Sequence, residues 1–244
     1  MNRRTRRRLV VVAAAAAIGV LSPHWGPALL RNVPIFQVEE VRVSGIRFVP
    51  EAEVRELAGL GAEDSVWDEM GAREERIAGH PLIVEARILR GGLHLLEIAV
   101  HEVRPVALVS APELVPVDQD GRALPIDPAG RPVDLPILDG AELSGGRVEP
   151  EAARRALDVL DQVSALDSAF TRRISELRPM RGSSVEFVLL PGSPLERVVL
   201  PFRDPAEAFL RVGSAVSLAE ARGPVREADA RFENEVVIRM GSAR

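Results

Sequence analysis

The chain lacks two reactive residue types. Its 244 residues include no cysteine, and all 31 basic residues are arginine, so lysine is absent as well. The chain therefore cannot form a disulfide scaffold, a thiolate metal site, a cysteine nucleophile or a lysine Schiff base. Apolar residues make up 46% of the chain and charged residues 27%. This balance predicts a globular protein with one or two domains.

Positive charge is concentrated at the N-terminus. Residues 1–8 contain five arginines and no acidic residue, and because they contribute +5 to a net charge of −5, the rest of the chain carries −10. A nucleic acid requires a basic protein surface, so this acidic body predicts no nucleic-acid partner.

An apolar segment follows the arginines. Leu9–Leu21 has no polar side chain, and extending it to Leu30 gives a segment that would be roughly 33 Å long as a helix, enough to span a bilayer. The preceding arginines predict a cytoplasmic N-terminus and an exported body. A cleaved signal peptide is the alternative, although Ser22–Pro27 offers no small-x-small cleavage site. Both interpretations export the body.

Residues 36–104 predict a small α+β unit in the order β-α-α-β-β. In the predicted strands, apolar and polar residues alternate imperfectly, but β-branched side chains are frequent. The first helix begins with proline and acidic residues. Asp68 is predicted to cap the second helix, and Gly91-Gly92 to form a hairpin turn. The predicted elements are strand 36–43, helix 50–58, helix 68–79, strand 82–90 and strand 93–101.

Residues 105–240 predict a second, mixed and β-rich domain with two helices. The first helix, 151–167, places Ala153, Leu157 and Leu160 on one apolar stripe. The second begins with Asp204-Pro205-Ala206-Glu207, which has the form of a capping box, and runs to about Glu220. The predicted strands are 115–124 (with a turn at Asp120-Gly121), 135–140, 174–177, 184–190 and 196–201, and 230–239 is predicted to form a last strand or hairpin.

The sequence contains no recognisable catalytic motif, and we predict no catalytic, cofactor or metal site. His94 and His101 are seven residues apart on one predicted strand, which places them on opposite faces. Asp118 and Asp120 resemble the start of a calcium loop but lack the remaining ligands. Acidic pairs such as Glu74-Glu75 leave an exported cell-wall enzyme as an alternative. The apolar terminal strand instead favours an interaction protein that offers a sheet edge to a partner.

Six segments, taken in order, resemble the bacterial FtsQ/DivIB family. Each motif is weak alone, but the ordered set covers nearly the whole chain. The first three resemble elements of the family's POTRA domain and its exit strand, and the last three resemble its β domain. The segments are 36–60 (FQVEEVRVSGIRFVPEAEVRELAGL), 80–90 (HPLIVEARILR), 98–109 (IAVHEVRPVALV), 117–125 (VDQDGRALP), 135–140 (LPILDG) and 227–240 (EADARFENEVVIRM).

The resemblance implies a non-enzymatic cell-division scaffold at the septum. It would lie in the inner membrane, bind FtsB-like and FtsL-like single-span proteins and other divisome membrane proteins, and help control septal peptidoglycan synthesis. A POTRA protein of another envelope assembly or secretion pathway is the alternative. The implied organisation is a cytoplasmic tail (1–8), a transmembrane helix (9–30) in contact with lipid, a linker (31–35), a POTRA domain (36–104), an FtsQ-type β domain (105–240) and a C-terminal tail (241–244).

The resemblance implies that FtsB binds at the last strands of the β domain, by strand addition plus apolar contacts. By position, this site corresponds to Arg231, Phe232, Val236, Val237 and Ile238. The alternative for Phe232 and Val236 is that they are ordinary core residues.

Overall fold

A computed structural model describes residues 30–128 and 130–241, which divide into two compact units between Val103 and Arg104. The predicted tail 1–8 and residues 9–29 of the predicted transmembrane helix lie outside the described residues. Among the residues that are described, none of the helices combines the length and apolarity needed to cross a bilayer. In the described part of the chain, five α-helices combined with β-sheets confirm the α+β class.

The N-terminal unit contains a three-stranded sheet in the order β1-β3-β2. Strand β1 pairs parallel with β3, and β2 pairs antiparallel with β3. Parallel pairing is possible because two helices separate β1 from the later strands. The elements are a 3-10 turn (Pro34–Phe36), β1 (Glu40–Ser44), α1 (Glu51–Ala58), α2 (Gly71–Ala78), β2 (Ile83–Arg90) and β3 (Leu95–Glu102).

Helix α1 ends at a glycine, as the sequence predicts. Gly59 adopts the left-handed conformation with φ +57°, and its N–H donates to the carbonyls of Arg55 and Glu56. A buried carboxylate fixes the loop before this helix, since Glu102 accepts hydrogen bonds from the backbone N–H groups of Phe48 and Val49, both at 2.8 Å. A buried charge requires such partners.

Two predictions in this unit are corrected by the structure. The first strand begins at Glu40 rather than Phe36, because the 3-10 turn occupies Pro34–Phe36 and Gln37 forms only an isolated bridge. The second helix begins at Gly71 rather than Asp68. The Asp68 carboxylate accepts the Ser65 N–H at 2.7 Å, so it stabilises a turn instead of a helix.

The C-terminal unit is built on an eight-stranded sheet in the order β13-β12-β11-β10-β9-β6-β4-β5, with a separate β7–β8 hairpin. Its strands are β4 (Ala107–Ala111), β5 (Glu113–Val117), β6 (Ile137–Leu138), β7 (Glu142–Ser144), β8 (Arg147–Glu149), β9 (Ile174–Met180), β10 (Ser184–Leu189), β11 (Arg197–Pro201), β12 (Val225–Asp229) and β13 (Val237–Met240). Its helices are α3 (Glu151–Leu166), α4 (Ser168–Thr171) and α5 (Pro205–Glu220).

The core of this unit lies between the sheet and its helices. Helix α3 buries the stripe that its sequence predicts, including Ala153, Leu157 and Leu160. Phe187 of the central strand β10 is fully buried, and Phe170 contacts it at a ring-centroid distance of 6.4 Å. This packing joins the central strands to the helical layer.

Several predictions in the C-terminal unit are corrected. Strands β4 and β12 and the β7–β8 hairpin were not predicted, and α4 is a one-turn helix beyond the two expected. Asp204 has φ +50° and makes no side-chain capping bond, so the predicted capping box is wrong although α5 begins beside it. Within the predicted strand or hairpin at 230–239, the residues up to Val236 form a loop, and the strand is Val237–Met240.

Candidate partner-binding edge of the large sheet

Strand β13 lies at one edge of the eight-stranded sheet. It pairs antiparallel with β12, with Val237 opposite Asp229 and Ile238 opposite Ala228. Within residues 30–128 and 130–241, no strand pairs with its other side. β-Branched side chains favour the extended conformation here, and the strand contains no proline. The outer backbone groups of β13 can therefore accept an added strand.

Ion pairs hold β13 against its neighbours. Arg239 lies 2.9 Å from Glu227 on β12, and Arg197 on β11 lies 3.8 Å from the same carboxylate. Exposed pairs of this kind each contribute little to stability. Their common carboxylate links side chains of three consecutive strands, at positions that the backbone pairing already sets opposite one another.

Hydrogen bonds between Asp229 and Arg231 stabilise the loop between β12 and β13. The Arg231 guanidinium donates from Nη2 to Asp229 Oδ2 at 2.6 Å and from Nε to both carboxylate oxygens at 3.0 Å, and the Arg231 backbone N–H donates to Oδ1 at 3.1 Å. Partial burial opposes ionisation of Asp229, but these hydrogen bonds and the arginine charge outweigh it and hold the carboxyl pKa below its usual value.

The structure places the five predicted site residues in two environments. Val236 and Ile238 are partly buried and pack against the core of the C-terminal unit. Phe232 and Val237 are surface residues with exposed fractions of 49% and 53%, and Arg231 is fixed in the loop by Asp229. Phe232 is therefore not an ordinary core residue, whereas Val236 belongs to the margin of the core.

An apolar groove beside β13 was missed by sequence reasoning. It has a volume of about 650 Å³ and lies between Ile238 and Met240 on the strand and the C-terminal half of α5. Leu218 of α5 borders it and is 78% exposed. One signal was available, because Leu210 and Leu218 lie outside the buried Ala208–Val212 stripe and make α5 apolar on a second side.

A second, polar pocket of about 470 Å³ lies between the loop that joins β12 to β13 and the start of α5. It is lined by Arg203, Asp204, Glu207, Arg211 and by loop residues 230–234. Phe232 thus stands between a polar pocket and the sheet edge that begins at Val237. The arrangement combines backbone donors and acceptors with apolar and charged side chains, which suits a peptide rather than a small metabolite.

No cluster of metal-binding side chains occurs in the part of the chain that the structure describes. The Asp118 segment forms a turn, in which the carboxylate accepts the Arg122 N–H at 2.8 Å and Gly121 has φ +71°. A turn therefore explains the calcium-loop resemblance of this segment.

No protein-family model matches the chain. Similar curated proteins include three named Cell division protein FtsQ. The protein of Myxococcus fulvus is 28% identical over 177 residues, which cover 69% of this chain and 62% of the relative. That of Geotalea daltonii is 22% identical over 151 residues, or 61% of this chain and 55% of the relative. That of Mycolicibacterium smegmatis is 30% identical over 192 residues, or 78% of this chain and 55% of the relative.

The matched part of the chain therefore spans only 55–62% of the length of these relatives. Across that span, the three names agree with the resemblance found in the sequence. Three relatives with this name therefore support the FtsQ/DivIB family of cell division proteins for this chain.

Proposed function

We propose that this protein is a non-enzymatic divisome scaffold that binds FtsB-like and FtsL-like single-span proteins at the sheet edge formed by β13. Residues 9–30 anchor it in the inner membrane, with residues 1–8 in the cytoplasm and the body outside, at the septum. Residues 36–104 serve as a POTRA domain, and residues 105–240 as an FtsQ-type β domain. By recruiting these partners, the protein helps control septal peptidoglycan synthesis.

The single observation that carries the proposal is the position of β13. An unpaired edge strand presents regularly spaced N–H and C=O groups, and a partner strand that satisfies them gains affinity without needing a particular sequence. Specificity then comes from alternate side chains. Val237 is exposed beside that edge, and its apolar surface becomes buried when a partner strand adds.

The groove next to β13 extends this recognition beyond the backbone. Ile238 and Met240 form its wall on the strand side, and Leu218 of α5 faces the same space. A partner strand that carries apolar side chains on its inward face fills the groove as it pairs with β13. Such an anchor in a preformed pocket is the feature that dominates binding energy at protein interfaces.

The experiment replaces Val237 with proline. Proline cannot donate a backbone hydrogen bond and is poorly tolerated within a pairing strand. We expect Val237→Pro to abolish capture of an FtsB-like partner from the same species by the purified full-length chain in detergent, measured by pull-down. Hydrogen exchange should show that the core strands β9–β11 keep their protection.

Val237→Thr is the matched control, because it retains the backbone N–H and the β-branched shape. Val237→Thr changes only the side chain, so we expect it still to capture the partner. If Val237→Pro captures the partner as well as the unmodified chain does, strand addition at β13 is wrong.

A further inference from the structure

We infer that one end of the N-terminal unit lies in the headgroup region of the bilayer and binds lipid directly. The inference rests on the proposed membrane anchor at 9–30 and deepens it, because it assigns a second membrane contact to the folded body. We call this end the membrane-facing rim. It consists of Val33, Ile35, Phe36, Trp67, Arg90 and Leu93.

Sheet topology brings the rim together. Because β1 and β3 are parallel, the start of β1 and the turn that precedes β3 lie at the same end of the sheet. The backbone N–H groups of Glu39 and Glu40 both donate to the His94 carbonyl, at 2.9 and 3.2 Å. The chain that arrives from the apolar segment and the β2–β3 turn are therefore neighbours.

The loop before α2 joins the same end. The Val66 N–H donates to the Phe36 carbonyl at 2.9 Å, and the Phe36 and Trp67 rings meet edge to face with centroids 5.9 Å apart. The Arg90 guanidinium lies over the Trp67 ring at 4.1 Å. The Trp67 Nε1 is buried, so this stack holds the loop before α2 against β2. The exposed apolar side chains of the rim are the ones that can meet lipid.

Two tight turns keep the rim close to the apolar segment. The Val33 N–H donates to the Leu30 carbonyl at 3.0 Å, and the Phe36 N–H donates to the Val33 carbonyl at 2.9 Å. A hydrogen-bonded turn holds its first and fourth Cα atoms within about 7 Å. Only these two short turns separate Ile35 from Leu30, the last residue of the segment that the sequence predicts to span the bilayer.

The rim exposes apolar side chains that a water-facing surface does not require. Ile35 is 58% exposed and Leu93 is 55% exposed, and Val33 is exposed beside them. Acidic residues also lie at this end. The exposed Glu39 and Glu40 donate their backbone N–H groups to the His94 carbonyl, and the Glu40 carboxylate is paired with Arg42 at 2.7 Å. Asp64 is paired with Arg73 at 2.6 Å, and Asp68 with Arg31 at 3.9 Å. A clustered apolar surface at the point where the chain leaves the membrane fits a lipid partner.

The absence of cysteine allows a direct test. Single cysteines are introduced at Ile35 and Leu93, labelled with an environment-sensitive fluorophore, and the full-length chain is reconstituted in phosphatidylcholine–phosphatidylglycerol vesicles. Lipids carrying a spin-label quencher near the glycerol backbone are then added. We expect both labels to shift their emission to the blue and to lose fluorescence severalfold more than a control label.

Val84 provides the matched control, since it is 60% exposed in the same unit. It stands at the start of β2, six residues before Arg90, which is about 20 Å along the strand from the rim. Equal quenching at positions 35, 84 and 93 would overturn the inference. A fourth variant, Ala15→Cys, reports whether the apolar segment itself enters the bilayer.

The fourth label separates failure of the inference from failure of the anchor. If position 15 is quenched but positions 35 and 93 behave like position 84, the anchor stands and the lipid contact of the rim is wrong. If position 15 is not quenched, the anchor fails and the rim inference fails with it.

Discussion

The eight-stranded sheet has two edge strands, β5 and β13, and they differ in what they offer to another chain. On β5, Pro116 has no N–H, and its carbonyl accepts the Leu124 N–H at 2.8 Å. The Asp118 N–H also donates to the Arg122 carbonyl at 3.0 Å, so the protein's own chain covers this edge. Strand β13 has neither proline nor a covering segment within the described residues.

The difference shows how one sheet can leave only one of its two edges open to another chain. Proteins commonly protect edge strands with proline or with a covering loop, because an open edge pairs with other chains. Here one edge carries both protections and the other carries neither. An edge left open beside an apolar groove is consistent with use of β13, and not β5, for binding.

The largest expected effect comes from replacing Phe187, a core residue on which both edges depend. Phe187→Ala removes a fully buried ring from the central strand β10 and should lower the free energy of unfolding of the C-terminal unit by about 3–5 kcal/mol. Hydrogen exchange should show the amides of Leu124 and Gly241, which donate to the Pro116 and Pro224 carbonyls, losing protection together. Phe232→Ala, at a half-exposed position, serves as the control and should cost less than about 1 kcal/mol. Loss of protection at only one edge would contradict a shared core.

A smaller effect is expected at the covered edge alone. Gly121 has φ +71°, and an added Cβ would lie 3.1 Å from the Val148 Cβ. Gly121→Ala should therefore cost about 1–3 kcal/mol and accelerate exchange of the Leu124 amide, while partner capture at β13 is retained. Gly140→Ala separates the cost of the left-handed backbone from the cost of the close Cβ contact. Gly140 has φ +68°, but nothing lies within 4 Å of its added Cβ. A loss of capture in Gly121→Ala would show that the two edges are coupled.

The smallest effect is expected at the open edge, and it depends on pH. Because the pKa of Asp229 is lowered in the folded protein, its ion pair with Arg231 stabilises the fold above the ordinary aspartate pKa of 3.8 and loses that contribution as the pH falls through the folded value. Asp229→Asn should therefore be slightly less stable than the unmodified chain at pH 7 and equal to it in strong acid. Urea unfolding at both pH values measures the difference. A stability difference that persists in strong acid would mean that Asp229 contributes by packing.

Sequence reasoning succeeded where a local pattern decides the structure. The apolar stripe of α3 has the period of a helix, and Gly59 ends α1 because only glycine adopts the left-handed conformation without cost. It failed where local signals compete. Asp68 and Asp204 both resemble helix caps, but the first stabilises a turn and the second takes a left-handed backbone. Short strands such as β4 and β7 are too brief to show a period.

The candidate edge strand β13 shows the same difference between local and long-range information. The β-branched run around Val237 predicts a strand, but edge position is a property of the whole sheet and no local pattern encodes it. The groove depends on α5 packing beside β13, so its lining residues come from segments that are distant in the chain.

What the sequence alone determined is the α+β class, the positions of the long helices, the acidic body behind an arginine-rich N-terminus and the resemblance to a division-protein family. These follow from composition, period and ordered motifs, which are local properties of the chain. Only the tertiary structure decided which strand lies open and which is covered. That outcome depends on hydrogen bonds between residues far apart in sequence, and those bonds exist only once the sheet has formed.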